Sequence, residues 1–347
     1  VFIVLNFIST ARGMDAARYL YGNDWFAYFR DSFLKPMQIF MCGILAFNIF
    51  RKPEDLRQYL RIIKLASLML GIWILCRGGG TIESAARLVR VSGLHKNSIG
   101  FMFAVLLVMN MATIKFGSKS EKIFSWILNG IYIWVIMFSF SRQGYVTAVI
   151  VLTIFAVKAG GKVTVAAIIG FFIFWNFLMP FEVKKRIFYG TETGVQMGDK
   201  EYTIGDVTSG RKEAWEATDK AIMDNLIFGQ GRYAYLKLVY INRPDLPPHP
   251  HSAYRQCLLD MGIFGTAGFL GFYIYLMVRS WIIYKTSKSK FASAYSFGFF
   301  MCVMVFLLQA YTGFRLYPSE ESYYIWLFLG GLMWIEKNQK YLSEHGM

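Results

Sequence analysis

Runs of roughly 18 or more predominantly apolar residues recur along this 347-residue chain, the length a helix needs to cross a hydrocarbon core of about 30 Å. Spans are placed near 36–50, up to Cys76, at 98–114, 122–140, 143–157, 163–180, 253–278, 291–312 and 322–336. That makes nine spans, plus a partial one in Val1-Phe2-Ile3-Val4-Leu5-Asn6-Phe7-Ile8, which reads as the tail of a helix whose start is missing. The residues are 55% hydrophobic and 18% aromatic, well above the usage of a soluble domain. The expected fold class is therefore all-α: a polytopic transmembrane helical bundle. Residues 1–180 would form N-terminal membrane helices, 181–250 a large polar loop with short helices, and 251–347 C-terminal membrane helices.

The net charge of +15 would point to nucleic acid in a soluble protein. In a membrane protein, Lys and Arg collect in cytoplasmic loops, and some face anionic lipid, so we expect membrane lipids and no nucleic acid as partners. The loops at 51–64, 115–122, 158–162 and 279–290 and the C-terminal tail carry the basic residues and fall on one side. Arg142 and Arg315 alone occupy the short loops opposite. The basic loops are then cytoplasmic, and 9–35, 77–97 and 181–250 face outward. Cys42, Cys76, Cys257 and Cys302 lie in or beside apolar segments without a CxxC pair, so neither a disulfide framework nor a zinc site is indicated.

Chemistry is expected where the 181–250 segment meets the membrane, at Pro247-Pro248-His249-Pro250-His251-Ser252-Ala253-Tyr254. His251 is either a helix-start histidine that meets solvent or a general base, since histidine titrates near working pH. His249 stands close by, but a His-x-His without carboxylate or thiolate partners is poor evidence for a metal. Arg142, in Ser139-Phe140-Ser141-Arg142-Gln143-Gly144, is either a snorkelling anchor or a phosphate ligand, because guanidinium grips phosphate with two parallel hydrogen bonds. Arg211, in Thr208-Ser209-Gly210-Arg211, would occupy the first turn of a helix capped by Ser209 or Thr208, where a cation opposes the helix dipole. It is either solvated or a ligand for phosphate or glycan. Phe228-Gly229-Gln230-Gly231 is a glycine-rich turn too short for a nucleotide fingerprint. The aromatics of this segment either stack on sugars or form an interfacial belt.

Several of these elements occur in an ordered set: Ser141-Arg142-Gln143-Gly144, Ser209-Gly210-Arg211 with Trp215, Phe228-Gly229-Gln230-Gly231, and His251-Ser252-Ala253-Tyr254 with Leu258 and Gly262 to Gly265. The set resembles the O-antigen ligase and O-antigen polymerase superfamily of bacterial envelope glycosyltransferases over roughly residues 85–270. Ser92-Gly93-Leu94-His95-Lys96-Asn97 is similar to that family's loop ahead of a central helix. One departure is Ser252, where the family often has Asn after the histidine.

The resemblance implies a metal-independent, inverting GT-C-type transferase with no cofactor. Its donor would be an undecaprenyl-diphosphate-linked glycan, bound at the outer face of the bacterial cytoplasmic membrane. Arg142 and Arg211 would neutralise the diphosphate and His251 would orient or deprotonate the acceptor hydroxyl. Arg90, His95 and Lys96 would contact substrate from one loop, and Trp215, Arg232, Tyr233 and Tyr254 from the other. The leading expectation is polymerisation of lipid-linked repeat units into O-antigen or exopolysaccharide. A ligase acting on lipid A-core as acceptor has the same donor chemistry. A lipid-linked oligosaccharide transporter would carry ionisable residues deep in several helices and paired repeats, which the spans lack. A chain-length regulator or a flippase would be a protein partner.

Overall fold

The computed structural model describes residues 2–78, 96–173, 176–177, 179, 183–184, 195–197, 200–202, 211–313 and 322–344. The fold is all-α apart from one antiparallel hairpin, β1 (Val195–Met197) paired with β2 (Lys200–Tyr202). The helices, in chain order, are α1 (Phe2–Arg12), α2 (Met14–Tyr21), α3 (Trp25–Phe29), α4 (Lys35–Ile49), α5 (Pro53–Gly78), α6 (Lys96–Thr113), α7 (Lys119–Phe138), α8 (Arg142–Ala159), α9 (Gly161–Ile173), α10 (Arg211–Asp224), α11 (Ala234–Asn242), α12 (Ala253–Thr286), α13 (Lys290–Ala310), α14 (Tyr323–Lys337) and α15 (Gln339–Glu344).

Among the described residues, seven helices are long and apolar enough to cross a membrane: Trp25–Ile49, Pro53–Arg77, Lys96–Phe116, Lys119–Phe138, Arg142–Ala159, Ala253–Thr286 and Lys290–Ala310. The chain is thus a multi-pass membrane protein. Two runs read as spans from sequence are not among these seven. Helix α9 has 13 residues and α14 has 15, about 20 and 22 Å at 1.5 Å per residue. Another difference concerns 9–35, read as mixed and polar. It is helical, and a π-helical turn at Arg30–Leu34 joins α3 to α4 so that the first long span starts at Trp25.

Local chemistry sets the helix starts. Pro53 opens α5, where a missing N–H costs nothing, and the Asp55 carboxylate accepts the N–H groups of Arg51 and Lys52 at 2.9 and 3.1 Å. Ser118 and Glu121 form a reciprocal capping box before α7. Ser141 caps α8 through the N–H of Gly144 at 3.2 Å.

The chain forms two compact units that interleave along the sequence. The first comprises 1–43, 189–278 and 307–323; the second comprises 44–188, 279–306 and 324–347. In the second unit, α6 is buried nearly all round and packs against α7 and α8. Such a helix is hydrophobic on every face because it meets protein on every face. Its Phe103 meets Tyr132 of α7, and Phe101 meets Phe306 of α13.

Two features organise the first unit. Ala214, Ala221, Ile222, Ala234, Tyr235, Val239, Leu246 and Leu259 form a common core beneath α10, α11 and the start of α12. The glycine turn after α10 docks on a break in α12. At Gly262 the backbone leaves the helix (φ 66°, ψ −169°). There the N–H groups of Gln230 and Gly231 donate to Leu259 O (2.7 Å) and Asp260 O (2.9 Å), while Ile263 N–H donates to Leu226 O (2.9 Å). Gly229 (φ 69°) and Gly231 (φ 92°) use the left-handed region open to glycine. A Cβ on Gly231 would lie 2.2 Å from the nitrogen of Gly13. The turn is a close backbone seam, which accounts for its glycines without a nucleotide.

Candidate functional site

Helix α10 begins at Arg211, as expected; the cap candidates Thr208 and Ser209 lie outside the described residues. Arg211, Trp215 and Asp219 recur every four residues and so share one face of the helix. The Trp215 indole N–H donates to the carbonyl of Pro250 at 2.7 Å. One turn on, Asp219 accepts two hydrogen bonds from Arg255, at 2.8 and 3.2 Å. The Arg255 guanidinium also lies 4.6 Å from the Trp215 ring centroid, within cation–π range. Trp215 meets Tyr311 edge-on at 6.2 Å. These contacts fix the face of α10 against the segment that carries His251. Arg211, half-buried, extends the same face by one turn.

The Pro247–Ser252 segment is held from several sides. Tyr235 donates its hydroxyl to Pro247 O at 2.9 Å, and burial pushes its phenol up to about 12. Arg243 grips Asp245 through both carboxylate oxygens at 2.9 and 2.7 Å, which holds that carboxyl below its usual range. Pro250 and Ser252 are buried, His249 is exposed and His251 is half-buried. The two imidazole centroids stand 6.5 Å apart. His251 adopts φ +51°, a left-handed conformation costing a β-carbon-bearing residue about 1–2 kcal/mol. It sits directly before Ser252, which caps α12 by accepting the N–H of Arg255 at 3.5 Å. Tyr254 donates its hydroxyl to Leu307 O at 2.6 Å.

Arg232 and Tyr233 belong to different surroundings in the same unit. Arg232 is buried; its guanidinium donates to Asn6 Oδ1 at 3.1 Å and its N–H to Ser9 O at 2.8 Å. Tyr233 packs with Tyr21 and Tyr28. Both serve the packing of α1 and α2 against the glycine turn. Burial beside Tyr233 also raises the Tyr21 phenol.

Arg142 and Lys96 lie in the second unit. Arg142 is the first residue of α8, after Phe140, whose buried ring and φ of 52° turn the chain sharply. The Ser141 hydroxyl donates to Asn97 Oδ1 at 2.9 Å, and Gly100 lets the two backbones approach, since a Cβ there would lie 3.1 Å from Ser141 Cβ. The starts of α6 and α8 are therefore adjacent, each presenting the positive end of its dipole. Lys96 and Arg142, both half-exposed, add two full charges to that end. Arg90 and His95 lie outside the described residues. Among the described residues, no three His, Cys, Asp or Glu side chains gather as a possible metal centre, and all four cysteines are free.

Sequence reasoning missed Asp219, Arg255 and Asn97. The first had a signal, since it follows Trp215 by one helical turn. Arg255 and Asn97 become visible only through partners 36 and 44 residues away.

Residues 127–270 match the family model described as O-antigen ligase (Wzy_C). This segment contains Arg142, Arg211 and His251, and the match supports the O-antigen ligase and polymerase superfamily. No curated protein matches the chain.

Proposed function

From an O-antigen ligase domain at 127–270 of a multi-pass membrane protein, we propose a glycosyltransferase that moves a glycan from a lipid-linked diphosphate to an acceptor hydroxyl. The observation that carries this reading is the Trp215–Pro250 hydrogen bond. Through it, the helix face bearing Arg211 and the strained residue His251 belong to one rigid assembly. Strain of this kind persists where surrounding contacts over-determine it, and it clusters at active sites.

In the proposed reaction His251 takes the proton of the acceptor hydroxyl while that oxygen attacks the anomeric carbon. The bond from that carbon to the diphosphate oxygen breaks, its electron pair leaves with undecaprenyl diphosphate, and the anomeric centre inverts. Negative charge grows on the leaving group. Arg211, with the positive end of α10 behind it, stabilises that charge through paired N–H donors. Arg142, at the adjoining helix starts of the second unit, is the other guanidinium we assign to phosphate. The fixed cations take the charge-neutralising role, so no metal enters the scheme. Tyr254 would orient the substrate and Trp215 would hold the face of α10 in place for it; Lys96 would contact it, with Arg90 and His95 shortly before it in the sequence. The basic residues at 51–64, 115–122 and 158–162, which fall on the turns between α4 and α5, α6 and α7, and α8 and α9 and on the adjoining helix ends, support a cytoplasmic side for those ends, which would turn 181–250 outward at the bacterial inner membrane.

Polymerisation of repeat units is the leading reading. The matching family's description favours a second one, ligation to lipid A-core. Purified protein with undecaprenyl-diphosphate-linked repeat unit as sole substrate, in EDTA, separates them. A ladder of longer lipid-linked glycans establishes a polymerase. Transfer that needs added lipid A-core establishes a ligase. No transfer in either case overturns the proposal.

A further inference from the structure

A basic cleft in the second unit, formed by residues of α5, the α6–α7 turn, α7 and α13, lies outside the residues assigned to transfer. Along α5, Arg57, Leu60, Arg61 and Lys64 recur at i, i+3, i+4 and i+7, so they share one face. That face lines the cleft with Ile114, Phe116, Phe124 and Phe291. Arg61 is paired with Glu121. Glu121 is fully engaged, because its other oxygen accepts the Ser118 N–H at 2.6 Å. Two cations remain. Arg57 lies 5.3 Å from the Phe291 ring centroid, and its buried Nε lacks a hydrogen-bond partner. Lys64 turns into the protein and donates to Ser125 Oγ at 3.0 Å. Among the described residues, neither has a carboxylate at ion-pair distance.

Snorkelling does not account for this arrangement, because a snorkelling Lys reaches toward water and Lys64 reaches inward. Ionisable residues within a span are costly, and the two excess positive charges favour an anionic occupant. The apolar half of the lining, and the exposed Ile62, Leu65, Ile123 and Ile127 on α5 and α7 beside it, favour an occupant that also carries hydrocarbon. We infer that this cleft binds the phosphate headgroup of an anionic phospholipid, with Arg57 and Lys64 on the phosphate and the acyl chains along α5 and α7. The inference stands on the membrane-spanning helices and is independent of the transfer reaction.

Native mass spectrometry of the full chain, titrated with phosphatidylglycerol and with phosphatidylcholine of the same acyl chains, tests it. Wild type is expected to retain phosphatidylglycerol preferentially. Arg57→Gln and Lys64→Gln should each weaken that retention about fivefold, while Lys119→Gln, an exposed cation outside the cleft lining, should not. Equal retention of the two lipids by wild type overturns the site, as does a preference unchanged in the Arg57→Gln/Lys64→Gln double variant. If either variant is unstable, inorganic phosphate supplies the second arm on wild type. Displacement of phosphatidylglycerol only by phosphate far above the lipid concentration supports a lipid site. Displacement by phosphate at equal concentration means a soluble phosphate ligand and overturns the lipid assignment.

Discussion

The indole N–H of Trp215 donates to the carbonyl of Pro250 at 2.7 Å, so the helix that starts with Arg211 is tied to the residue immediately before His251. Trp215→Phe keeps the ring against Tyr311 and Arg255 but removes the donor. One such bond contributes about 1 kcal/mol, and turnover should fall about fivefold. The KM for lipid-linked donor should stay near that of wild type if the role is positioning. A rise in KM with unchanged kcat would instead make Trp215 a substrate contact.

His251 is held at φ +51°, which Asn tolerates better than most residues. His251→Asn should therefore unfold at the same temperature as wild type or higher, while losing transfer. Thermal unfolding in detergent and the glycan ladder, measured on one preparation, check both halves. His249→Ala should retain transfer; the reverse pattern would move the base by two residues.

Arg211→Lys keeps the charge and loses the two-pronged geometry. Turnover should drop about a hundredfold, the scale of losing one transition-state donor. Near-normal turnover would remove Arg211 from the diphosphate.

Gly231→Ala must fit a Cβ 2.2 Å from the backbone of Gly13 at φ +92°. Loss of the folded protein is expected, seen as aggregation on size exclusion. Gly130→Ala, with no atom within 4 Å of the added carbon, should elute like wild type.

Much of this was readable from local pattern. Apolar runs marked the long helices, and the proline-rich Pro247–Pro250 turn marked the approach to α12. Thr208 and Ser209, read as caps, marked a helix with Arg211 in its first turn. What escaped depends on partners distant in sequence. Nothing near Gly229 and Gly231 announces that they press against Gly262 and Gly13. The left-handed φ of His251 falls between Pro250, held by Trp215, and Ser252, which caps α12, and nothing in the residue type announces it. The polar 9–35 stretch hid its helices because Tyr28, Ala16 and Ala17 are buried against the glycine turn, an environment its composition does not advertise.

Asn6 and Arg232 meet across 226 positions of chain, and this separation governs biosynthesis. At about 5–20 residues per second, the ribosome needs roughly 10–45 s to deliver Arg232 after Asn6 has emerged. For that interval Asn6 has no guanidinium and Ser9 has no main-chain donor from the glycine turn. The first unit is therefore completed late, and α1 must be kept from wrong partners while it waits.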